Sequence, residues 1–295
     1  MNTLNIPKKI YFKNGCTPVA LRELTEIYHL KRALLVSDPH LYHSGTVAFV
    51  GDLLRKHGMR TAEYFTISTV PTFAEIENAL PKMLEFEPDV IVGIGGGAAI
   101  SAAKAMWIIY ENPQLELAQA VKKPELIHTN VKAKAIWVAT SFGSGAQNSP
   151  FAVLKDERGR KKVLKSMELL PEISVTDAMF TRTLSAEQVK AEGLETLNLA
   201  ISAFCDPKCN EYTQGMLREA IAAVLKELKF GETGCPAARE KLHNAAALAG
   251  SAYGNVFSAW PSGKEKNDSK RLAVLAKELG FASTKQLQSA CEKLQ

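Results

Sequence analysis

The stretch Pro88 to Lys104, PDVIVGIGGGAAISAAK, constrains the fold more than any other part of the chain. Asp89 to Ile94 is short, β-branched and apolar on both faces, the pattern of a strand buried between two layers. Gly95, Gly96 and Gly97 stop it abruptly. A backbone without Cβ atoms can turn sharply and bring its N–H groups against a ligand, and the helix predicted from Ala98 to about Tyr110 aims its positive end at the same point. The combination predicts a phosphate cradle. The competing reading is a plain strand-to-helix turn, which one or two glycines already satisfy.

The preceding segments repeat one rhythm. Lys9 to Asn14 reads as an edge strand and Cys16 to Tyr28 as a helix. Arg32 to Ser37 reads as a buried strand, and a helix follows over about Gly45 to His57. Ala62 to Phe65 is a third strand and Thr72 to Glu85 a helix with Ile76, Leu80, Met83 and Leu84 on its apolar side. Alternating strands and helices predict a parallel α/β sheet. Asp38 follows the second strand. An acidic residue at the carboxyl end of a strand near a phosphate cradle is placed to take ribose hydroxyls, and it is equally placed to cap a helix.

Lys134 to Ala139 is a further buried strand running into TSFGSGAQNSP, a second Gly/Ser-rich loop. Phe151 to Leu154 and Lys161 to Leu164 flank DERGR as a hairpin, and strand character ends near Thr176 and Asp177. From about Ser185 the chain turns to Ala- and Leu-rich helical patterns: Ser185 to Phe204, Asn210 to Phe230, Cys235 to about Ser258, Ser269 to Gly280 and Ser283 to Leu294. Ser283 with Gln286 forms a capping-box pattern. The reading is an α/β parallel-sheet domain over residues 1–182, built to bind a dinucleotide, followed by an all-helical domain over residues 183–295.

Several function classes are excluded by composition. The 36 basic and 31 acidic residues are mixed along the chain, and no aromatic-interleaved basic stripe marks a nucleic-acid groove. No apolar run reaches the roughly 20 residues of a membrane helix, and the opening MNTLNIPKKIYFKNG lacks the apolar region of a signal peptide, so a cytoplasmic protein is expected. The 5 cysteines are scattered and odd in number, which argues against a disulfide framework. Cys205 and Cys209 are spaced to share a helix face, but no His lies nearby to complete a zinc site.

The segments LLVSDPHLYHSG, PDVIVGIGGGAAISAAKAMWIIYENP, VKAKAIWVATSFGSGAQNSPFAVLKDERGRK, EGLETLNLAISAF and REKLHNAAALAGSAYGNVF together resemble the iron-dependent alcohol dehydrogenases, most closely the alcohol dehydrogenase half of the bifunctional aldehyde-alcohol dehydrogenases. The likeness extends over nearly the whole chain to about residue 257. It implies an N-terminal domain binding a nicotinamide dinucleotide, and a helical domain holding a divalent metal, usually iron, that polarises an alcohol oxygen for hydride transfer. By position, Gly95, Gly96 and Gly97 match the pyrophosphate loop, Asp38 the adenosine-ribose contact, and Thr140 and Ser141 the residues lining the nucleotide site. Departures are present: Ala98 and Ser101 replace a Ser and an Asp of the glycine-loop motif, and Phe142 stands where the family has a small residue.

The metal ligands depart further. Their first two places fall on Glu195 and Leu199, the third on Ser262, and a neighbouring His of the same family segment on Lys266. A segment carrying the last His ligand is missing from the pattern. A Leu cannot bind iron, and among the six histidines only His243 lies in the helical region, inside an apolar stretch that predicts a core or capping role. Iron or zinc is therefore not expected, and NAD(H) is the expected cofactor. Three functions stay open: a noncatalytic relative that binds a dinucleotide and associates with itself or an active paralogue, an active oxidoreductase with an altered metal site, and a structural module.

Overall fold

The computed structural model describes residues 3–259, 261 and 267–294. Ser262 and Lys266 lie outside the described residues. Strands and helices alternate through the first half: β1 (Lys9–Tyr11), α1 (Thr17–Glu26), β2 (Arg32–Val36), α2 (Pro39–His43), α3 (Thr46–Lys56), β3 (Arg60–Tyr64), α4 (Phe73–Glu77), α5 (Leu80–Phe86), β4 (Val90–Gly95), α6 (Gly97–Glu111) and α7 (Leu117–Lys122). Then come β5 (Lys134–Ala139), β6 (Phe151–Lys155), β7 (Lys161–Lys165) and β8 (Ile173–Thr176). Five helices follow among the described residues: α8 (Ala186–Cys205), α9 (Glu211–Glu232), α10 (Pro236–Val256), α11 (Ser269–Glu278) and α12 (Thr284–Glu292).

The chain forms two compact units. The first comprises Pro7–Thr140 and Pro150–Asp177; the second takes the residues before Pro7, the segment Ser141–Ser149, and everything from Ala178 onward. In the first unit six strands run parallel in the order β1-β8-β5-β4-β2-β3, while β6 and β7 pair antiparallel beside them. β4 and β5 sit in the middle of the sheet, and nearly every residue in them is buried, as continuous apolar runs require when both faces are covered. Trp107 of α6 meets Trp137 of β5 edge-on at 5.9 Å between ring centroids. Each indole N–H donates to a carbonyl, Ala133 O at 3.0 Å and Leu169 O at 3.1 Å, so the two rings fill the core without leaving a polar atom unpaired. Lys104, fully buried on α6, donates from Nζ to the carbonyl of Phe151 at 2.9 Å. Ser101 accepts the Val153 N–H at 3.1 Å. Together they tie the hairpin to the helix that follows the glycines.

Two sequence expectations are refined here. The helix read over Thr72 to Glu85 is two helices, because Pro81 lacks an N–H and restricts the residue before it; the chain breaks at Asn78–Ala79, and Pro81 occupies the first turn of α5. The turn after β2 is itself a short helix, α2, with Asp38 as its N-cap and Pro39 at its start.

In the second unit α8, α9 and α10 form the packed core, joined by buried Val189, Leu197, Leu217, Ile221, Val224, Leu228 and Leu242. Ser185 opens α8 with a reciprocal capping box: its hydroxyl accepts from Gln188 N and its own N–H donates to Gln188 Oε1. Ser283 caps α12 through Gln286 N, but the Gln286 side chain accepts from Ala282 N, one residue earlier than the predicted box places it. Cys205 ends α8 and Cys209 lies beyond it, before α9, so the two thiols do not share a helix face. No described helix is long and apolar enough to cross a membrane.

Candidate functional site

The strand order sets where a ligand fits in the first unit. From β2 the chain moves to β3 on one side, and from β4 it moves to β5 on the other, so the connections part at the carboxyl ends of β2 and β4. A crevice opens at such a switch point because the flanking helices turn away in opposite directions. Asp38 lies just past β2 and Gly95 closes β4, which brings the predicted ribose and pyrophosphate residues together there.

Gly95 has φ +148°, a conformation closed to other residues, and a Cβ on it would lie 2.6 Å from Ala99 Cβ, 3.3 Å from Leu41 Cδ1 and 3.6 Å from Asp38 Oδ2. The backbone thus runs bare beside the carboxylate. Gly96 is the N-cap of α6 and makes no side-chain cap, so no side chain competes for the N–H groups at that helix end. Of the two roles that its position suggested, Asp38 fills the capping one. Its Oδ1 accepts the Leu41 N–H at 2.9 Å and caps α2, while Oδ2 is the oxygen near Gly95. Ser37 and Thr140 brace the loop: Ser37 Oγ donates to Ile94 O at 2.8 Å and Thr140 N donates to Gly95 O at 3.1 Å. A signal for α2 was present in Asp38-Pro39, an N-cap followed by a proline. Tyr42 of α2 stacks on Phe65 at 3.6 Å between centroids, an aromatic pair that sequence spacing does not reveal.

Ser141 starts the segment that belongs to the second unit. There the Ser141–Ser149 loop is embedded between helices. Phe142 is fully buried and faces His243 of α10 at 6.3 Å between ring centroids, so its bulk goes into the helical core. Gly145 has φ +60°, and a Cβ on it would come within 2.1 Å of Ala246 O; one on Gly250 would come within 2.2 Å of Gly145 O. Loop and α10 therefore touch backbone to backbone. The Tyr253 hydroxyl donates to Ser144 O, and Asn148 Nδ2 reaches Ala247 O at 3.2 Å and Ser251 Oγ at 3.0 Å. His243 is buried in the same layer.

α8 supplies the other wall. Glu192 accepts the Phe142 N–H at 2.8 Å, and Thr196 Oγ1 bonds to the carbonyls of Phe142 and Gly143, each at 2.8 Å. Burial pushes the Glu192 carboxyl up to about 7, against the Phe142 N–H, which lowers it, and with the Glu195 charge adding to the rise. Glu195 is exposed and lines a groove of about 420 Å³ with Leu194, Asn198, Leu199, Ser202 and Pro261. Leu199 offers hydrocarbon where the resemblance places a metal ligand. Among the described residues no three His, Cys, Asp or Glu side chains converge on a point that could hold a metal ion. The donors described do not fit an iron or zinc site.

The iron-containing alcohol dehydrogenase family model matches residues 7–178. Aldehyde-alcohol dehydrogenase 2 of Entamoeba histolytica is 34% identical over 266 residues, covering 85% of this chain and 30% of that protein. The bifunctional aldehyde-alcohol dehydrogenase AdhE of Escherichia coli K12 is 33% identical over 267 residues with the same coverage. The chain thus spans less than a third of the length of these relatives. Among solved structures, an iron-containing alcohol dehydrogenase from Thermococcus thioreducens superposes with TM-score 0.87 at 24% identity, covering 100% of this chain and 85% of that one. Sulfoacetaldehyde reductase from Bifidobacterium kashiwanohense, solved with NAD+, gives TM-score 0.87 at 18% identity with the same coverage. At these identities the structural likeness is one of fold, and it matches the parallel sheet and helical region described above. The sequence matches carry the assignment: the chain belongs to the iron-containing alcohol dehydrogenase family.

Proposed function

We propose that this chain binds a nicotinamide dinucleotide through Asp38, Gly95, Gly96, Gly97, Thr140 and Ser141, and that it has lost metal-dependent hydride transfer. The observation that carries the first half is what the chain places at the switch point. There an acidic oxygen, a backbone stripped of Cβ and the N-terminus of a 15-residue helix stand side by side, the chemistry a ribose and a pyrophosphate need. The NAD+ complex of the sulfoacetaldehyde reductase supports the choice of ligand.

The second half rests on the donor set. In this family a divalent metal polarises the alcohol oxygen so that its proton can leave before hydride transfer. Glu195 is one oxygen donor, Leu199 is none, and among the described residues no group of three His, Cys, Asp or Glu side chains is gathered that could hold a metal ion. A protein with the nucleotide site and without the metal site is suited to sense the dinucleotide, acting with a second copy or an active paralogue.

Calorimetric titration of NADH into the purified protein, paired with Gly96→Val, tests the nucleotide site. Saturable binding that the variant abolishes is expected; no binding by the wild type refutes it. Elemental analysis and ethanol-dependent NAD reduction test the metal half. Stoichiometric iron or zinc together with turnover overturns it.

A further inference from the structure

Side chains of one turn of α8 tie the start of the Ser141–Ser149 loop to that helix. Glu192 takes the Phe142 N–H and the Ser141 hydroxyl on its carboxylate. Thr196, one turn on, bonds both neighbouring carbonyls, Phe142 O and Gly143 O. Glu195 lies between them on the same helix, its Oε2 only 2.3 Å from where a Gly143 Cβ would stand. Further along, the loop is held by α10, through Gly145 against Ala246 and Gly250 and through Tyr253 to Ser144. α10 fixes the far part of the loop by shape. The near part, which includes Ser141, is held by Glu192 and Thr196 of α8.

We propose that Glu192 is a positioning residue: its carboxylate orders Ser141 and Phe142 on α8 and so sets the geometry with which Ser141 meets the dinucleotide. The dinucleotide clause rests on the reading that Ser141 lines the nucleotide site. A carboxylate that accepts two hydrogen bonds at once fixes both donors, whereas a methyl group leaves the Phe142 N–H buried without an acceptor. Gln keeps an acceptor oxygen at the same reach. Glu192→Ala and Glu192→Gln are therefore expected to separate ordering from mere space filling.

The test combines amide hydrogen exchange over residues 141–145 with NADH calorimetry on the full chain, for wild type, Glu192→Ala, Glu192→Gln and Thr196→Val. In Glu192→Ala, exchange at Phe142 and Gly143 is expected to rise roughly tenfold or more while α9 and α10 amides keep their protection. Glu192→Gln is expected to restore it. NADH affinity is expected to fall by a similar factor in Glu192→Ala and to return in Glu192→Gln. Unchanged exchange in Glu192→Ala overturns the ordering role. Faster exchange with unchanged NADH affinity overturns the link to the dinucleotide. A wild type that binds no NADH removes the nucleotide reading and that link together, and the exchange data still decide the ordering role. Should Glu192→Ala not fold, Thr196→Val carries the same expectation, since it cuts the other half of the clamp without touching a charge.

Discussion

Replacing Glu192 with Gln is expected to change how stability depends on pH, and the sign follows from its surroundings. The carboxyl is pushed from its ordinary 4.5 up to about 7 chiefly by burial. Between those values the folded protein keeps a proton that the unfolded chain has already released. Stability contributed by this group is therefore full below pH 4.5, declines as pH rises through the window, and is gone above about 7. The displacement corresponds to about 3 kcal/mol, most of it between pH 5 and pH 8. Gln fills the same space and keeps an acceptor for the Phe142 N–H but has no proton to lose. Urea unfolding at intervals from pH 5 to pH 8 should show the wild type losing about 2 to 3 kcal/mol relative to Glu192→Gln as pH rises. Parallel curves for the two proteins would refute the reasoning, because they would mean that Glu192 is solvated and ionised across the whole range.

Other outcomes follow from the same contacts. Gly95→Ala forces a side chain into φ +148° and against Ala99, and is expected to destabilise the fold by about 2 to 4 kcal/mol, read as a shift in the urea midpoint; an unshifted midpoint contradicts the geometry. Phe142→Ser empties a fully buried aromatic position and should cost about 3 to 5 kcal/mol, measured the same way, even though it restores the small residue that the family carries there. Added iron or zinc should leave the thermal midpoint unchanged, since a ligand held by the native state alone raises it; an increase that grows with metal concentration refutes the donor-set argument.

The sheet was legible in the sequence because its central strands are nearly unbroken apolar runs. Lys134 to Ala139 coincides with β5, and the glycine-loop strand is displaced by one residue. Asp38 could be picked out, and its cap on α2 is seen only once the Leu41 N–H is placed against one of its oxygens. Phe142 was misleading for a similar reason. Its bulk marks a clash only if the loop stays with the sheet, and here the ring points into the helical core beside His243. Glu192 gave no signal at all. An isolated glutamate in an amphipathic helix reads as a solvated face, and its burial arises from a loop some fifty residues earlier in the chain.

Embedding Ser141–Ser149 among the helices also orders events in time. The six parallel strands are all available once Thr176 has left the ribosome. The contacts of the Ser141–Ser149 loop with α8 and α10 can form only later. Asn148 meets Ser251 across 103 residues of chain, so that contact must wait for α10. From Thr176 to Ser251, at ordinary synthesis rates, the interval is on the order of four to fifteen seconds, far longer than closing a loop or forming a helix takes. During it a finished sheet carries an open tether of nine residues. Late capture of that tether, and not closure of the sheet, then becomes the step that commits the chain to its final form.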